Sequence, residues 1–194
     1  MDQDDDQIVH GFLTGKLLIA MPFHEDPRFS QSVIYVCGHD ETGAMGIMVN
    51  KPLITVEFSD LLEQLGIDHT KKLTPDIPVY YGGPVEIGRG FVLHTPDYLS
   101  DSSVAIEGNF ALTATLDVLR ALSNNHGPVH TIVALGYVGW GAGQLEQEIN
   151  NNGWMIIDAT TDLVFQQDYQ ELWRSAMLSV GIEPNNIAID FGHA

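Results

Sequence analysis

Residues 15–52 read GKLLIAMPFHEDPRFSQSVIYVCGHDETGAMGIMVNKP, and this stretch decides the fold. Segments 17–20, 32–37 and 45–49 are short apolar runs of strand type, and the turns between them hold nearly all the polar residues. Both faces of 32–37 are apolar, the pattern of a strand covered on two sides. Pro22 stops the first run, and Asp26-Pro27-Arg28-Phe29 forms a turn or a single helical turn, because proline suits a first helical position. A polar turn over 39–43 makes the second and third runs a hairpin. The stretch ends abruptly on Asn50-Lys51-Pro52.

Outward from this stretch, Phe58, Leu61, Leu62 and Leu65 have helical spacing, ended by Gly66. Strands are predicted at 79–81, 91–94 and 104–106, with a Gly82-Gly83-Pro84 turn after the first. Leu116, Leu119, Arg120 and Leu122 belong to a helix that begins near Thr113 and ends before Gly127-Pro128. A strand at 131–137, a glycine-rich turn at 139–143, a helix at 144–150 and a strand at 155–158 follow. A helix at 169–179, stopped by Gly181, is the last element. Strands and helices mix without strict βαβ alternation, which argues an α+β fold. No linker and no fixed repeat divides the chain, so 11–194 reads as a single domain behind a flexible acidic leader, 1–10.

A chain of 194 residues buries about 70% of the surface its unfolded form exposes and needs no metal or disulfide for stability. Eight Lys and Arg stand against 26 Asp and Glu, a net charge of -18. Duplex binding draws its affinity from cations placed on phosphates. Here only Lys71 and Lys72 are adjacent, so no basic stripe runs along any element. An acidic field also repels nucleic acid and anionic lipid; neither is expected as a partner. One cysteine, Cys37, excludes an internal disulfide and a cysteine zinc cage. Four Asp in the first six residues reverse the cationic start of a signal peptide. The apolar runs at 16–23 and 131–138 are far short of the roughly 20 residues that span a bilayer. These features predict a cytoplasmic protein.

Candidate chemistry is sparse. Gly139-Trp140-Gly141-Ala142-Gly143 leads into a helix and then a strand ending at Asp158, near where a dinucleotide fold keeps its ribose acid. The spacing is GxGxG and the helix is only about two turns long, so a structural turn is the simpler reading. Cys37 and His39 lie two apart on one strand and would share a face, as a thiolate–imidazolium pair requires; a buried, inert cysteine is the simpler account. His126 and His130 are separated by Gly127-Pro128, His24-Glu25-Asp26 offers a weak surface metal set, and the histidines otherwise read as scattered and solvated. Acids at Glu146 and Glu148 suit the start of a helix. No GxSxG elbow is present, so no catalytic residue, metal or cofactor is assigned. If there is a ligand site, it lies where the Asn50-Lys51-Pro52, Gly82-Gly83-Pro84 and 139–143 turns meet. Asn50, Lys51, Gly82, Gly83, Trp140 and Gly141 are its candidates, since scaffold-held loops carry binding residues disproportionately.

GKLLIAMP, DPRFSQSVIYV, GAMGIMVNKP, YYGGPV followed by GFVLH, and GWGAGQLEQEI followed by NNGW occur in this order. Together they resemble the YqgE/AlgH family of small bacterial proteins, from about Gly11 to Ser179. The resemblance implies a compact α+β fold with a branched sheet curled into a pseudo-barrel. It assigns no biochemical activity. The family is sometimes labelled transcriptional regulators through a genetic association with alginate production, but this chain lacks a basic recognition helix. The expectation is therefore a non-enzymatic binding or indirectly regulatory protein, with an unknown protein or small molecule as partner. An enzyme acting on a small ligand near Asn50, Gly83 and Trp140 is the alternative, and a DNA-binding regulator the second.

Overall fold

The computed structural model describes residues 12–69, 77–166 and 168–184. The expected leader, the Lys71-Lys72 pair, His10 and His193 lie outside the described residues. The first half contributes β1 (Lys16–Ala20), β2 (Val33–Asp40), β3 (Gly43–Met48), α1 (Phe58–Gln64) and β4 (Val79–Tyr81). Next come β5 (Val85–His94), β6 (Val104–Ile106), β7 (Phe110–Thr113) and α2 (Leu116–Ser123). The chain continues through β8 (Thr131–Gly141), α3 (Gln144–Asn150), β9 (Trp154–Asp158), α4 (Thr161–Val164) and α5 (Tyr169–Ser179). A single 3-10 turn at Pro27–Phe29 sits where the sequence placed it, with Asp26 accepting from the Arg28 N–H.

Among the described residues the nine strands form one sheet in the order β6-β7-β5-β8-β3-β2-β1-β9, with β4 off this path. The pairings are antiparallel except β4 on β8. β8 is where the sheet branches. It pairs with β5 along one edge, and along the other with β4 at Val133–Leu135 and then with β3 at Val138–Gly141. The sheet also curls. The Tyr35 ring on β2 lies 4.7 Å from that of Phe110 on β7, although β5, β8 and β3 separate these strands in the sheet. At the closing seam, a Cβ on Gly15 would stand 3.2 Å from the Glu107 carbonyl oxygen.

Three hydrophobic cores follow from this shape. The concave core takes Leu17, Ile19, Tyr35, Ile47, Leu93 and Phe110, closed by Leu172, Trp173, Ala176 and Met177 of α5. The Trp173 indole N–H donates to the Ala20 carbonyl at 2.8 Å, fixing α5 over that end of the sheet. A second core packs Leu18, Ile34, Met48, Trp140 and Trp154 around Leu145 of α3. The third buries Phe58 and Leu62 of α1 and Val118, Leu119 and Leu122 of α2 on the outer face of β5 and β8. Each large apolar side chain so buried contributes about 1.5–3 kcal/mol. The structure is a compact α+β domain with a half-barrel sheet and short helices.

Several boundaries differ from expectation. The turn expected at 39–43 shrinks to Glu41-Thr42, and the glycine-rich turn at 139–143 is strand as far as Gly141. The helix expected from near Thr113 begins at Leu116, because 110–113 pairs with β5 and β6 as β7. Gly108 and Asn109, both at positive φ, make the hairpin turn before it. A short helix, α4, was also not foreseen.

Candidate functional site

Of the three expected site turns, two meet. The Lys51 carbonyl accepts from the Tyr81 N–H at 2.7 Å, and the Gly82 carbonyl accepts from the Met48 N–H at 2.9 Å. The third lies elsewhere: Gly141 pairs with Gly43 at the start of β3, whereas Asn50 follows its end. At about 3.4 Å per residue the separation is roughly 20 Å. The three turns do not share one cleft.

The chain itself uses the groups these residues offer. The Asn50 amide is buried; it accepts from the Val33 N–H at 2.9 Å and donates to the Gln31 carbonyl at 2.9 Å. The Lys51 ammonium donates to the Ser30 carbonyl at 2.7 Å, and partial burial lowers its pKa. β4 and β5 pair with opposite edges of β8, so the chain must cross β8 between them. Gly82 and Gly83 make that crossing. A Cβ on Gly82 would collide with the Gly136 carbonyl, and one on Gly83 with the backbone of Tyr137. Gly136, at φ +74, leaves room from below. Trp140 is buried with its indole against Gly46. Its N–H and that of Trp154 donate to one oxygen of Glu148, at 2.9 and 2.8 Å. The Gly141 N–H donates to the Gln144 side chain at 3.0 Å.

The other motifs resolve in the same way. β8, α3 and β9 are no dinucleotide unit, since β9 pairs with β1 at the far edge and Asp158 binds Lys16 at 2.5 Å. The pairing of β2 with β3 shifts register between Val36 and Gly38, leaving Cys37 as the extra residue of a bulge. Cys37 therefore faces the concave core, while His39 turns to the opposite face, against Leu13 and α3. The pair expected on one face is split. Burial pushes the Cys37 thiol up to about 12. Both nitrogens of His39 are engaged: Nδ1 accepts from the Leu13 N–H at 3.0 Å, and Nε2 faces Glu146 at 2.8 Å. Two histidines expected to be solvated, His39 and His94, are instead buried. His94 Nδ1 lies 2.8 Å from the Thr95 carbonyl, which makes it the N–H donor, so Nε2 accepts from Thr113 at 2.8 Å. Its pKa is lowered by burial. His24 packs on Trp154 at 4.5 Å, and Asp26 is forked with Arg28, so the weak surface set His24-Glu25-Asp26 has two of its three members engaged elsewhere.

What remains is a groove no single sequence motif marks. α5 closes the Ala20 end of the concave face; the other end, where β2 and β8 finish and β3 begins, is open. A cavity of about 620 Å³ lies there, within the roughly 300–1,000 Å³ of small-molecule sites. The register builds its floor in rows: Gly38, Met45 and Gly139 directly across three strands, then Asp40 and Gly43, a row that Gly141 continues at the edge of the cavity. Tyr137 and Phe91, packed edge to face at 5.7 Å, form the wall. The Arg89 guanidinium lies 5.1 Å above the Phe91 ring and 3.2 Å from Glu86. The Asp40 carboxylate accepts from the Thr42 N–H at 2.8 Å and hydroxyl at 2.5 Å, which holds its pKa below the usual carboxylate value. Trp140 and Gly139 border this groove; Gly141 lies just past its lining, and Asn50, Lys51, Gly82 and Gly83 are not part of it. The period-two alternation of Tyr137, Gly139 and Gly141 on one face of β8 was the available signal, obscured because the glycines read as a turn.

Among the described residues no helix is long and apolar enough to cross a membrane. A UPF0301 protein of Bradyrhizobium diazoefficiens is 49% identical over 191 residues, covering 95% of this chain and 89% of the relative. One of Rhodospirillum rubrum is 48% identical over 184 residues, covering 95% of each. The solution structure of the AlgH protein from Pseudomonas aeruginosa superimposes with a TM-score of 0.77 at 35% identity, over 100% of both chains. A Corynebacterium diphtheriae protein, DIP2367, shares the fold at a TM-score of 0.70 and 19% identity, covering 92% of this chain and 90% of that one. The profile of the family DUF179, described as AlgH-like, matches residues 17–185, and with these relatives it shows that the chain belongs to the AlgH-like (UPF0301) family.

Proposed function

We propose that this protein is a cytoplasmic, non-enzymatic binding protein whose ligand occupies the groove at the open end of the half-barrel. One observation carries the reading. Gly38, Gly139 and Gly141 have no positive φ, and a Cβ on any of them would meet no backbone and at most a side-chain tip. Glycine inside a strand costs roughly 0.5–1 kcal/mol against alanine. The fold gains nothing from that loss at these positions, so the space they keep clear serves something outside the chain.

The groups that catalysis would recruit are committed: both nitrogens of His39 are engaged, Asp40 binds Thr42, and the Cys37 thiol is buried and protonated. Any regulatory effect runs through the ligand or another protein, not through DNA. No described helix carries more than one cation, where strong duplex binders place about 6–10 contacts on phosphates. The cytoplasmic placement rests on the single cysteine and the anionic composition.

The test is amide-shift mapping of the ¹⁵N-labelled protein with a mixed fragment library. Binding fragments should move the resonances of Gly38, Gly139 and Gly141, and a Gly38→Val, Gly139→Val double variant should abolish those shifts while keeping the fold. Fragments that map elsewhere, or that bind the filled variant equally well, refute the assignment.

A further inference from the structure

We infer that the groove takes a planar aromatic molecule carrying an anionic group, with the ring on the glycine floor and the anion at Arg89. The inference deepens the reading of the groove as a binding site and rests on it.

The floor has the dimensions of a ring system. Strands lie about 4.8 Å apart and alternate residues about 6.7 Å apart, so the two rows span roughly 10 Å by 7 Å. The five positions around the Met45 side chain in these two rows carry no bulky group: Gly38, Gly43, Gly139 and Gly141 present bare backbone, and Asp40 lies at the rim. Bare peptide planes accept a flat face. A tetrahedral carbon skeleton of similar size would touch them at a few points only. Met45 rises from the middle of the floor, half-buried against the concave core. A thioether makes favourable contacts at an aromatic ring, at about 5 Å. The Tyr137 and Phe91 rings wall one side, and aromatic walls favour an offset or edge-on ring partner over an aliphatic one.

Charge comes from Arg89, the one Lys or Arg among the described residues that borders the groove, in a chain of net charge -18. Its guanidinium is held over Phe91 and contacts Glu86 through Nη1 alone. A guanidinium has five N–H donors, so a planar fork is left for a carboxylate or phosphate oxygen pair. At the opposite corner Asp40 stays ionised, fixed by Thr42. It selects against a second anionic group there and accepts an N–H donor. A ring with an acid at one end and an amine or ring N–H near the other fits both corners.

The experiment titrates the ¹⁵N-labelled protein with 4-aminobenzoate, its neutral amide and cyclohexanecarboxylate, followed through the Gly38, Gly139 and Gly141 amides. 4-Aminobenzoate should bind saturably and its neutral amide about 10-fold more weakly, the size of one charge-assisted contact; cyclohexanecarboxylate, which keeps the acid but lacks the flat ring and the amine, should also bind more weakly. Arg89→Gln should erase the preference for acid over amide without changing the melting temperature, since Arg89 is exposed. If other compounds move the three glycine amides but the planar acid is not preferred, or its preference survives in Arg89→Gln, the ligand class is wrong and the groove stands. If no compound of any class moves those amides, the groove reading itself falls.

Discussion

Gly82, Gly83 and Gly136 at the β8 crossing, and Gly38, Gly139 and Gly141 at the open end, lie on or beside the same strand and answer to different demands. At the crossing one backbone passes directly over another, and every added Cβ would strike a carbonyl or an amide of the facing chain. At the open end the same atom would enter empty space or touch a movable side chain. The first group is what lets a single strand serve β3, β4 and β5 together, so glycine there belongs to the fold. The second group weakens two strands, β2 and β8, with no return in packing. Glycine content by itself carries no function; the distance to the next backbone separates the two cases.

The largest effect should come from closing the crossing. Gly136→Ala places a Cβ against the Gly83 carbonyl at a residue of φ +74, and should cost at least about 3 kcal/mol in denaturant unfolding. A cost below 1 kcal/mol, a threshold about the size of an ordinary substitution effect, would mean that the crossing relaxes and that the two glycine groups are not distinct.

The floor of the groove rests on Trp140, whose N–H shares a Glu148 oxygen with Trp154. Glu148→Ala strands two indole donors, each side of a largely buried contact, and should destabilise by about 2–3 kcal/mol. Glu148→Gln should lose less, because its amide oxygen still accepts. Equal losses for the two variants would assign the effect to packing and not to the shared acceptor.

At the open end the sign reverses. Gly139→Ala and Gly141→Ala should leave stability unchanged or raise it by about 0.5–1 kcal/mol, through the lower entropy of the unfolded chain, and should weaken fragment binding. A clear loss of stability in both would show that the fold needs these glycines after all.

The smallest energetic effect has the sharpest chemical readout. Cys37 faces the concave core with its thiol pushed up to about 12, so a thiol reagent at neutral pH should leave it unmodified in the native protein. A cysteine introduced by Gly139→Cys, on the exposed floor, should react rapidly. Prompt labelling of Cys37 would place the open end of the half-barrel deeper than the groove described above.

Much of the fold was legible. The apolar runs of 17–20, 32–37 and 45–49 became β1, β2 and β3 because each is apolar on both faces and too short for a helix. The covered-strand pattern of β2 anticipated cores on its two sides, Tyr35 toward one and Ile34 toward the other. The sequence assigns 110–112 to no element and begins the helix near Thr113, because Phe110, Ala111 and Leu112 continue an apolar series toward the true helix; pairing with β5 and β6 makes 110–113 a strand. The site was much less legible. Trp140 and Gly141 were expected in a turn, whereas β8 runs through both of them, because pairing with β3 carries the strand on to Gly141 and outweighs the glycines.

By itself the sequence determined the α+β class, the strands that are apolar on both faces, the burial of Cys37 and the poverty of cations that argues against DNA. These are local or compositional properties, and chain neighbours carry them. The tertiary structure decided three things: that Gly82 and Gly83 face backbone while Gly38 and Gly139 face open space, that the Cys37 bulge turns His39 away from Cys37, and that Asn50 and Gly141 stand at opposite ends of β3. Each depends on register between strands far apart in the chain. Register fixes which residues share a face, and a slip of one residue reverses it.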